Sequence, residues 1–430
     1  MAIISLFIRL KERWIPARRK RLLHFIAVFI IPAFPVQAGD WSGYVAGEFL
    51  GFTENPQFSS QYNTYLSIAA EPEYLHEWNE GNDIFTFTPY AMGDNHDYLR
   101  THTDIRELSW IHAADNWELT TGISKVFWGV TESVHLVDII NQTDLVVNED
   151  GEDKLGQPMA NLSLIRDWGV VDLFVLPGFR ERTFPSKNGR PRFGVNIDTD
   201  KVFYESGAEE WHTDFAIRWS HYIGAVDIGI AHFHGTTRQP RFIVQPAAIN
   251  PAAGTISEIN PLYELIDQTS IDLQAIYGSW LWKLEAITRS GQGDRFYSYA
   301  GGYEYTLVGV FESQMDIGVI TEYLYDSRGD EIKQDKALQG EPFDLSTFQR
   351  DLVLGARLTF NDAQSTEVLA SVIVDLEGGG QSYNIEASRR IGNNWKLSLE
   401  ARGLSNTPND TVMASFKDDN RLRLELARYF

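Results

Sequence analysis

Charged side chains occur at every second position in several segments of the C-terminal half of the sequence. Lys396, Glu400 and Arg402, for example, alternate with the apolar residues of the segment 395–401. Successive side chains of a β-strand point to opposite faces, so this spacing predicts strands with one apolar and one charged face. Charged faces of this kind select ions and small polar solutes through their electrostatic field.

The charged faces predict a set of side chains that would line an aqueous lumen. These pore-lining candidates are Lys283, Glu285, Arg289, Glu304, Glu322, Arg357, Glu367, Glu386, Arg390, Lys396, Glu400, Arg402, Arg423 and Glu425. Acids and bases on neighbouring strands could instead pair and neutralise one another, which is an ordinary means of stabilising a sheet. Both interpretations stay open at the level of the sequence.

Motifs for covalent or metal chemistry are missing from the sequence. It has no cysteine, no G-x-S-x-G elbow and no glycine-rich phosphate loop. His232 and His234 would share one face of a strand, with His221 nearby in the chain. A third ligand is not identifiable, so an interfacial histidine pair is favoured over a metal site. We therefore expect no enzyme activity, no catalytic residue, no metal and no cofactor.

The elements that would position these residues are strands joined as hairpins. Marking every alternating segment predicts about eighteen strands, with about sixteen as the fallback. They start near residues 43, 62, 83, 101, 116, 159, 169, 212, 224, 262, 280, 295, 314, 349, 365, 381, 394 and 420. Tight connections alternate with long ones, which include 129–158, 178–211, 236–261, 326–348 and 405–419. This pattern predicts an all-β fold, a transmembrane antiparallel β-barrel with short periplasmic turns and long extracellular loops.

Residues 1–38 differ from the rest of the chain. A basic block between Arg9 and Arg21 precedes an apolar run and the small residue Ala38. This order is typical of a cleavable export signal. We therefore predict a signal peptide over 1–38 and a barrel over 39–430. Removal of seven basic residues and one acidic residue would lower the formal net charge from −22 to −28.

The composition excludes two further classes of protein. A negative formal charge of −22 argues against nucleic-acid binding, because contact with phosphates needs a basic surface. The absence of cysteine excludes a disulfide framework. Several tryptophans, among them Trp41, Trp78, Trp168 and Trp395, fall near predicted strand ends. Aromatic residues at these positions form the interfacial girdles of membrane barrels.

The end of the chain resembles the terminal strand of Gram-negative outer-membrane barrels. Leu422, Leu424, Leu426 and the final Phe430 follow its two-residue step, while Arg428 departs from it where an apolar residue is usual. The segments 125–129, 138–144 and 322–329 look like a poorly characterised proteobacterial outer-membrane family. The sequence as a whole is similar to porin-like proteins.

The resemblance implies a location and partners. We expect an outer-membrane protein that contacts membrane lipids and lipopolysaccharide, and whose last strand is read by the outer-membrane assembly machinery. Porins are often trimeric, so a homo-oligomer is possible. The expected function is passive diffusion of small hydrophilic solutes or ions. Two alternatives stay open: a transporter or export component for hydrophobic molecules or lipids, and a structural surface barrel.

The third long connection, 129–158, has an apolar part at 134–140 and an acidic run at 148–153. In general porins the third loop folds into the barrel and narrows it. By this resemblance Asp138 and Asp144 are the constriction candidates, whereas an external loop packed on its neighbours is the alternative. The acidic run lacks the alternating ligand positions of a calcium-binding loop.

The fourth long connection carries a basic cluster in an otherwise acidic protein. Its members are Arg180, Arg182, Lys187, Arg190 and Arg192. Such a cluster could contact lipopolysaccharide phosphates or steer an anionic solute. It could equally be a solvated loop that neutralises Asp198, Asp200 and Glu205.

Overall fold

Eighteen antiparallel strands form a closed β-barrel in the computed structural model, which describes residues 39–250, 255–329, 334–409 and 411–430. Each strand pairs with its neighbour in the chain, and the first strand pairs with the last, from Tyr44 opposite Tyr429 to Phe52 opposite Arg421. The predicted fold class and the preferred strand number are confirmed. The predicted signal peptide lies outside the described residues.

The barrel strands are numbered β1 to β18 in chain order. They are β1 Asp40–Phe52, β2 Thr64–Trp78, β3 Asp83–Asp94, β4 His102–Ala114, β5 Trp117–Ser124, β6 Gln157–Arg166, β7 Gly169–Pro177, β8 Thr213–Ile223, β9 Val226–Thr236, β10 Leu265–Tyr277, β11 Trp280–Ser290, β12 Phe296–Leu307, β13 Asp316–Asp326, β14 Arg350–Thr359, β15 Glu367–Asp375, β16 Gln381–Ile391, β17 Trp395–Ser405 and β18 Arg421–Tyr429. The sequence pattern located every one of these strands, and its largest errors are the starts of β1 and β10.

Alternation along each strand separates an apolar outer face from a mixed inner face. Leu66 and Ile68 on β2 point outward and are 56% and 61% exposed, while Tyr65 and Ser67, which alternate with them, are buried inside the barrel. A soluble protein would bury such large aliphatic side chains, whereas a membrane barrel presents them to lipid. Among the described residues no helix is long and apolar enough to cross a membrane.

Every connection of more than eight residues lies at one end of the barrel, here called the loop end, and the connections at the other end, the turn end, have two to eight residues. At the turn end, strands are joined by tight segments such as 224–225 and 278–279, where Gly224 and Gly278 have φ values of 65° and 62°. Glycine adopts this left-handed conformation without a Cβ clash. Tryptophans gather near the same end; they are Trp41, Trp78, Trp110, Trp117, Trp168, Trp280, Trp282 and Trp395.

The nine connections at the loop end are numbered loop 1 to loop 9. The ones used below are loop 3 (125–156), loop 4 (178–212), loop 5 (237–264), loop 7 (327–349) and loop 9 (406–420). As predicted, these loops alternate along the chain with the turn-end connections, because successive antiparallel strands are joined at one end of the barrel and then at the other.

Loops 4, 5 and 7 fold together over the loop end and form a hydrophobic core of their own. Phe184, Phe242, Ile259 and Phe343 are buried in it. The loop 5 strand Glu258–Tyr263 pairs in parallel with short strands of loop 4 and antiparallel with Arg241–Ile243. We call this unit the loop-end cap.

Candidate functional site

Loop 3 enters the barrel and packs against one side of its wall. The strand before it, β5, has 8 residues, whereas its neighbour β4 has 13, so the chain leaves the wall early. Val137 and Ile140 of loop 3 are fully buried against apolar inner residues that include Phe174 of β7 and Phe233 of β9. The apolar segment 134–140 is therefore covered by the wall of the barrel.

Glu285 of β11 anchors this apolar segment. Its carboxylate accepts hydrogen bonds from the backbone N–H groups of Val130, Thr131 and Val137 at 2.7, 3.0 and 3.2 Å, and from the Thr131 hydroxyl at 2.9 Å. A buried carboxylate is tolerated when its oxygens are satisfied in this way. The acid that alternation placed on the inner face thus binds loop 3.

A second anchor lies on β13. Glu322 accepts hydrogen bonds from the N–H groups of Glu132 and Ser133 and from the Ser133 hydroxyl. The Glu132 side chain in turn bridges Lys283 at 2.5 Å and Arg357 at 2.6 Å. Burial opposes its charged form, but these two cations keep the pKa of Glu132 below its usual value. Loop 3 is therefore tied to β11, β13 and β14 by charged groups.

His135 adds a third contact between loop 3 and the barrel wall. It is hydrogen-bonded to Glu152 at 2.8 Å and lies 3.8 Å from Glu285. Burial alone would lower the pKa of His135, but its contacts with the two carboxylates raise it to about 10. The imidazole therefore carries a proton at neutral pH and forms ion pairs on both sides.

The acidic run of loop 3 crosses the lumen to the opposite wall. Asp150 lies 3.2 Å from Arg402 on β17, and Glu149 forms an ion pair with Arg421 on β18. Burial raises the pKa of Asp153 to about 6, and the neighbouring Asp150 adds to this shift. The run thus brings carboxylates of loop 3 against the inner face of β17 and β18.

The space that loop 3 leaves open is a cavity of about 360 Å³ between its acidic run and strands β14 to β18. Seven of the predicted pore-lining side chains border it: Arg357, Glu367, Glu386, Lys396, Glu400, Arg423 and Glu425. Asn148 and Asp150 form the side that faces the loop end. The cavity thus lies on the side of the lumen that loop 3 does not fill.

The remaining pore-lining candidates take other positions. Lys283, Glu285 and Glu322 bind loop 3, and Arg402 binds its acidic run, as described above. Glu304 lies 3.8 Å from Arg357. Arg289 is buried and donates to Gln268 and Gln292 near the loop end, whereas Arg390 is exposed near the turn end. Most candidates thus border the cavity or bind loop 3, whereas Arg289, Glu304 and Arg390 do neither.

The structure places the constriction candidates Asp138 and Asp144 in ion pairs at the base of loop 3, with both side chains fully buried. Asp138 lies 3.1 Å from Lys154, and Asp144 lies 2.7 Å from Arg106. Burial opposes ionisation of Asp144, but contacts with His102 and Arg106 lower its pKa to about 2. Their role in constriction stays a prediction, and Asp150 is the loop 3 carboxylate that borders the cavity.

The basic cluster of loop 4 contacts other loops and the barrel rim. Arg190 is buried and forms an ion pair with Asp419 of loop 9 at 2.6 Å, and Arg180 lies 2.9 Å from Asp104. Arg182 donates to Gln142 of loop 3, while Arg192 lies over the ring of Phe58. The Lys187 backbone carbonyl accepts a hydrogen bond from Ser60. These contacts hold loop 4 across the loop end.

The acidic residues expected to neutralise that cluster have other partners. Asp198 is 3.1 Å from Lys201, and the Glu205 carboxylate accepts from the backbone N–H of Leu265. The Asp198 carboxylate also accepts from the N–H of Asp200. Asp198 thus pairs with a lysine three residues away and not with the basic cluster, whereas the partner of Glu205 is 60 residues away in the chain.

His232 and His234 lie on the outer face of β9 near the loop end. Their Nδ1 atoms contact Thr269 at 3.0 Å and Asp267 at 2.9 Å on the adjacent strand β10. In the part of the chain that the structure describes, no group of three or more His, Cys, Asp or Glu side chains has the geometry of a metal site.

Comparison with known proteins gives similarity only to solved structures. No protein-family model and no curated protein sequence matches the chain. Wzi, an Escherichia coli outer-membrane protein involved in group 1 capsule assembly and described as a carbohydrate-binding β-barrel, is 9% identical, with 89% of this chain and 83% of that chain covered and a TM-score of 0.49. A mutant of the Rhodopseudomonas blastica porin is 11% identical, with 91% and 100% covered and a TM-score of 0.41.

Proposed function

We propose that the protein is an outer-membrane channel for passive diffusion of small hydrophilic solutes or ions. The observation that carries this proposal is the polar cavity of about 360 Å³ that remains between the acidic run of loop 3 and strands β14 to β18. A barrel of this strand number is wide enough for an aqueous channel, and an inserted loop narrows it to the size of a small solute.

The outer surface of the barrel supports a location in the outer membrane. Outward aliphatic residues such as Leu66 and Ile68 suit lipid contact, and the tryptophans near the turn end suit one membrane interface. In this orientation the turn end faces the periplasm, and loops 1 to 9 face lipopolysaccharide outside the cell. Recognition of β18 by the assembly machinery and formation of a homo-oligomer belong to the same proposal.

The charged side chains that border the cavity support a preference for cations in it. Five carboxylates border it, those of Asp150, Glu367, Glu386, Glu400 and Glu425, whereas three cationic side chains do. In a narrow space with low-dielectric walls such an excess raises the local concentration of counter-ions. Ion pairs between loop 3 and strands β17 and β18 lie beside this cavity.

The geometry gives less support to the two alternatives. A transporter of hydrophobic molecules would need an apolar surface open to the lumen, yet Val137 and Ile140 of loop 3 are fully covered by the wall. A purely structural barrel would fit the many ion pairs between loop 3 and the wall, but it would conduct no ions. Conductance therefore separates this second alternative from a channel.

The decisive experiment combines planar-bilayer recording with cysteine labelling. The chain has no cysteine, so a single introduced thiol is the only target of a charged thiosulfonate reagent. Ser398 borders the cavity, and its neighbour Leu397 points outward with 40% of its surface exposed. We expect discrete open steps from the refolded wild type, and a drop in conductance after labelling of Ser398→Cys.

Leu397→Cys is the matched control, because the same reagent on the lipid face of the same strand leaves the current unchanged. Folding is verified for each protein by the difference between unheated and boiled migration on denaturing gels. A folded, inserted wild type that gives no conductance would contradict the proposal and favour a structural barrel.

A further inference from the structure

Two arginines face each other across strands β17 and β18. Arg402 and Arg421 are direct partners in the register of this antiparallel pair, and both point into the lumen with Glu400 and Arg423. Like charges directly opposite one another destabilise a sheet. Such a pair is stable only when anions lie against it, so the arrangement itself indicates a site for negatively charged groups.

In the structure, carboxylates of loop 3 occupy this site. Glu149 forms an ion pair with Arg421, and Asp150 lies 3.2 Å from Arg402. Arg402 has a second carboxylate partner on its own strand, Glu400 at 2.5 Å. Within the described ranges, Glu149 is the single carboxylate in ion-pair distance of Arg421, whose other contact is the backbone carbonyl of Asp419 at 3.3 Å.

Arg421 lines a second, smaller cavity, and Arg402 lies opposite it on β17. Asn148, Glu400 and Arg423 border the large cavity and also a smaller one of about 30 Å³ on the loop-end side. Glu149 and Arg421 line the smaller cavity, which has room for about one water molecule. A solute on a path between the two cavities would pass the ion pair of Glu149 and Arg421.

We propose that Arg402 and Arg421 bind the carboxylate group of a permeating solute, and that Glu149 and Asp150 occupy this site until the solute displaces them. The guanidinium fork binds carboxylates through two parallel hydrogen bonds, and this geometry is the same for an internal and an external carboxylate. The inference deepens the proposed function, on which it rests, by naming the chemical group that is recognised.

Two kinds of solute carry this group. A simple organic anion presents the carboxylate alone, whereas a zwitterion adds an ammonium group. Glu386 and Glu425 lie 3.8 Å from Arg402 and 3.9 Å from Arg423 on the side of the large cavity. They place negative charge where the ammonium group of a zwitterion would lie.

Calorimetry on the folded, detergent-solubilised full barrel tests the site without relying on conduction. Potassium acetate is the probe for a simple anion, and glycine is the probe for a zwitterion. We expect acetate to bind Glu149→Gln about tenfold more tightly than wild type, because a tethered carboxylate competes at millimolar effective concentration. The double variant Glu149→Gln with Arg421→Gln should lose this gain.

Glu152→Gln is the matched control, since it removes one negative charge from the same run but its partner is His135. Equal affinities of the Glu149→Gln and Glu152→Gln variants would overturn the proposal, as would unchanged binding after loss of Arg421. Glycine binding as tight as acetate binding identifies a zwitterion site, and acetate binding alone identifies a site for simple anions. A barrel that binds acetate but conducts no current would contradict the channel and leave the carboxylate site established.

Discussion

At the scale of single residues, the position of loop 3 inside the barrel depends on buried carboxylates together with its apolar segment. Glu285 is fully buried and accepts from three backbone N–H groups and one hydroxyl of loop 3. A buried charge costs several kcal/mol unless hydrogen bonds compensate it, so the loop and the wall stabilise each other at this residue. Loop 3 is thereby held in one position inside the lumen.

We expect Glu285→Gln to loosen loop 3. The amide keeps the shape of the side chain but replaces an acceptor oxygen with a donor that faces N–H groups. The free energy of unfolding should fall by about 1–3 kcal/mol, the usual cost of an unsatisfied buried polar group. Urea unfolding measures the loss, and limited proteolysis within 125–156 should become faster.

Glu304→Gln on the adjacent strand is the control for this change. Its carboxylate lies 3.8 Å from Arg357, so it tests the loss of one negative charge from the inner wall without removal of a loop 3 anchor. Equal stability losses in the two variants would show that Glu285 does not hold loop 3 through its hydrogen bonds.

At the scale of elements, each strand separates lipid from lumen by alternation. On β17 the exposed Leu397 points outward, and Leu399 takes the same face because it lies opposite Leu424, between the exposed Leu422 and Leu426 of β18. Ser398 and Glu400 alternate with them on the inward side and border the cavity. A shift by one residue would exchange the two faces and place Glu400 in lipid. The register of β17 is continuous with β16 along its whole length and with β18 from Trp395 to Arg402, so both faces are fixed.

The substitution Leu399→Arg should impair assembly, because it places a charge in lipid near the middle of β17. The expected cost is about 2–4 kcal/mol if the residue lies at the membrane midplane. The fraction of folded barrel after refolding into lipid vesicles measures this effect. Ser398→Arg places the same side chain in the lumen and should refold normally; a similar defect in both variants would contradict the assigned faces.

At the scale of the whole molecule, two of the hydrophobic clusters of the described residues fix the loops to the barrel. One lies between loop 3 and the inner wall, and the other lies in the loop-end cap. Arg190 ties loop 4 to Asp419 of loop 9, and its guanidinium also donates to the backbone carbonyl of Glu54 in loop 1 (53–63). The loop end is therefore a packed layer above the lumen.

We expect Phe242→Ala to open this layer and to spare the barrel. Phe242 is buried between Phe184 and Phe343, with ring centroids 5.9 and 6.3 Å away, and loss of a buried phenylalanine costs about 3–5 kcal/mol. Proteolysis of loops 4, 5 and 7 should accelerate, and single-channel conductance should rise.

Phe311→Ala at the turn end is the comparison, because that side chain is 84% exposed and contributes little packing. Gel migration of unheated protein should show a folded barrel in both variants. Unchanged loop proteolysis in Phe242→Ala would mean that the cap does not depend on this core.

The sequence by itself determined the barrel. Alternation in segments such as 395–402 is a local property with a period of two, and it located all eighteen strands. It also predicted the inward faces of strands in the C-terminal half. The position of long connections after every second strand then set the two ends, because adjacent antiparallel strands reverse direction each time. The third connection showed its unusual apolar and acidic parts directly in its composition.

Only the tertiary structure decided which charged groups meet. Asp150 and Arg402 are 252 residues apart in the chain, and no local pattern relates them. Glu132 was not predicted as a site residue, although it bridges Lys283 and Arg357, because a single acid in a loop carries no periodic signal. Loop 4 likewise paired Arg190 with loop 9 and not with its sequence neighbours. The physical reason is that periodicity reports which face a side chain occupies, whereas an ion pair depends on where closure of the barrel and entry of loop 3 bring two faces together.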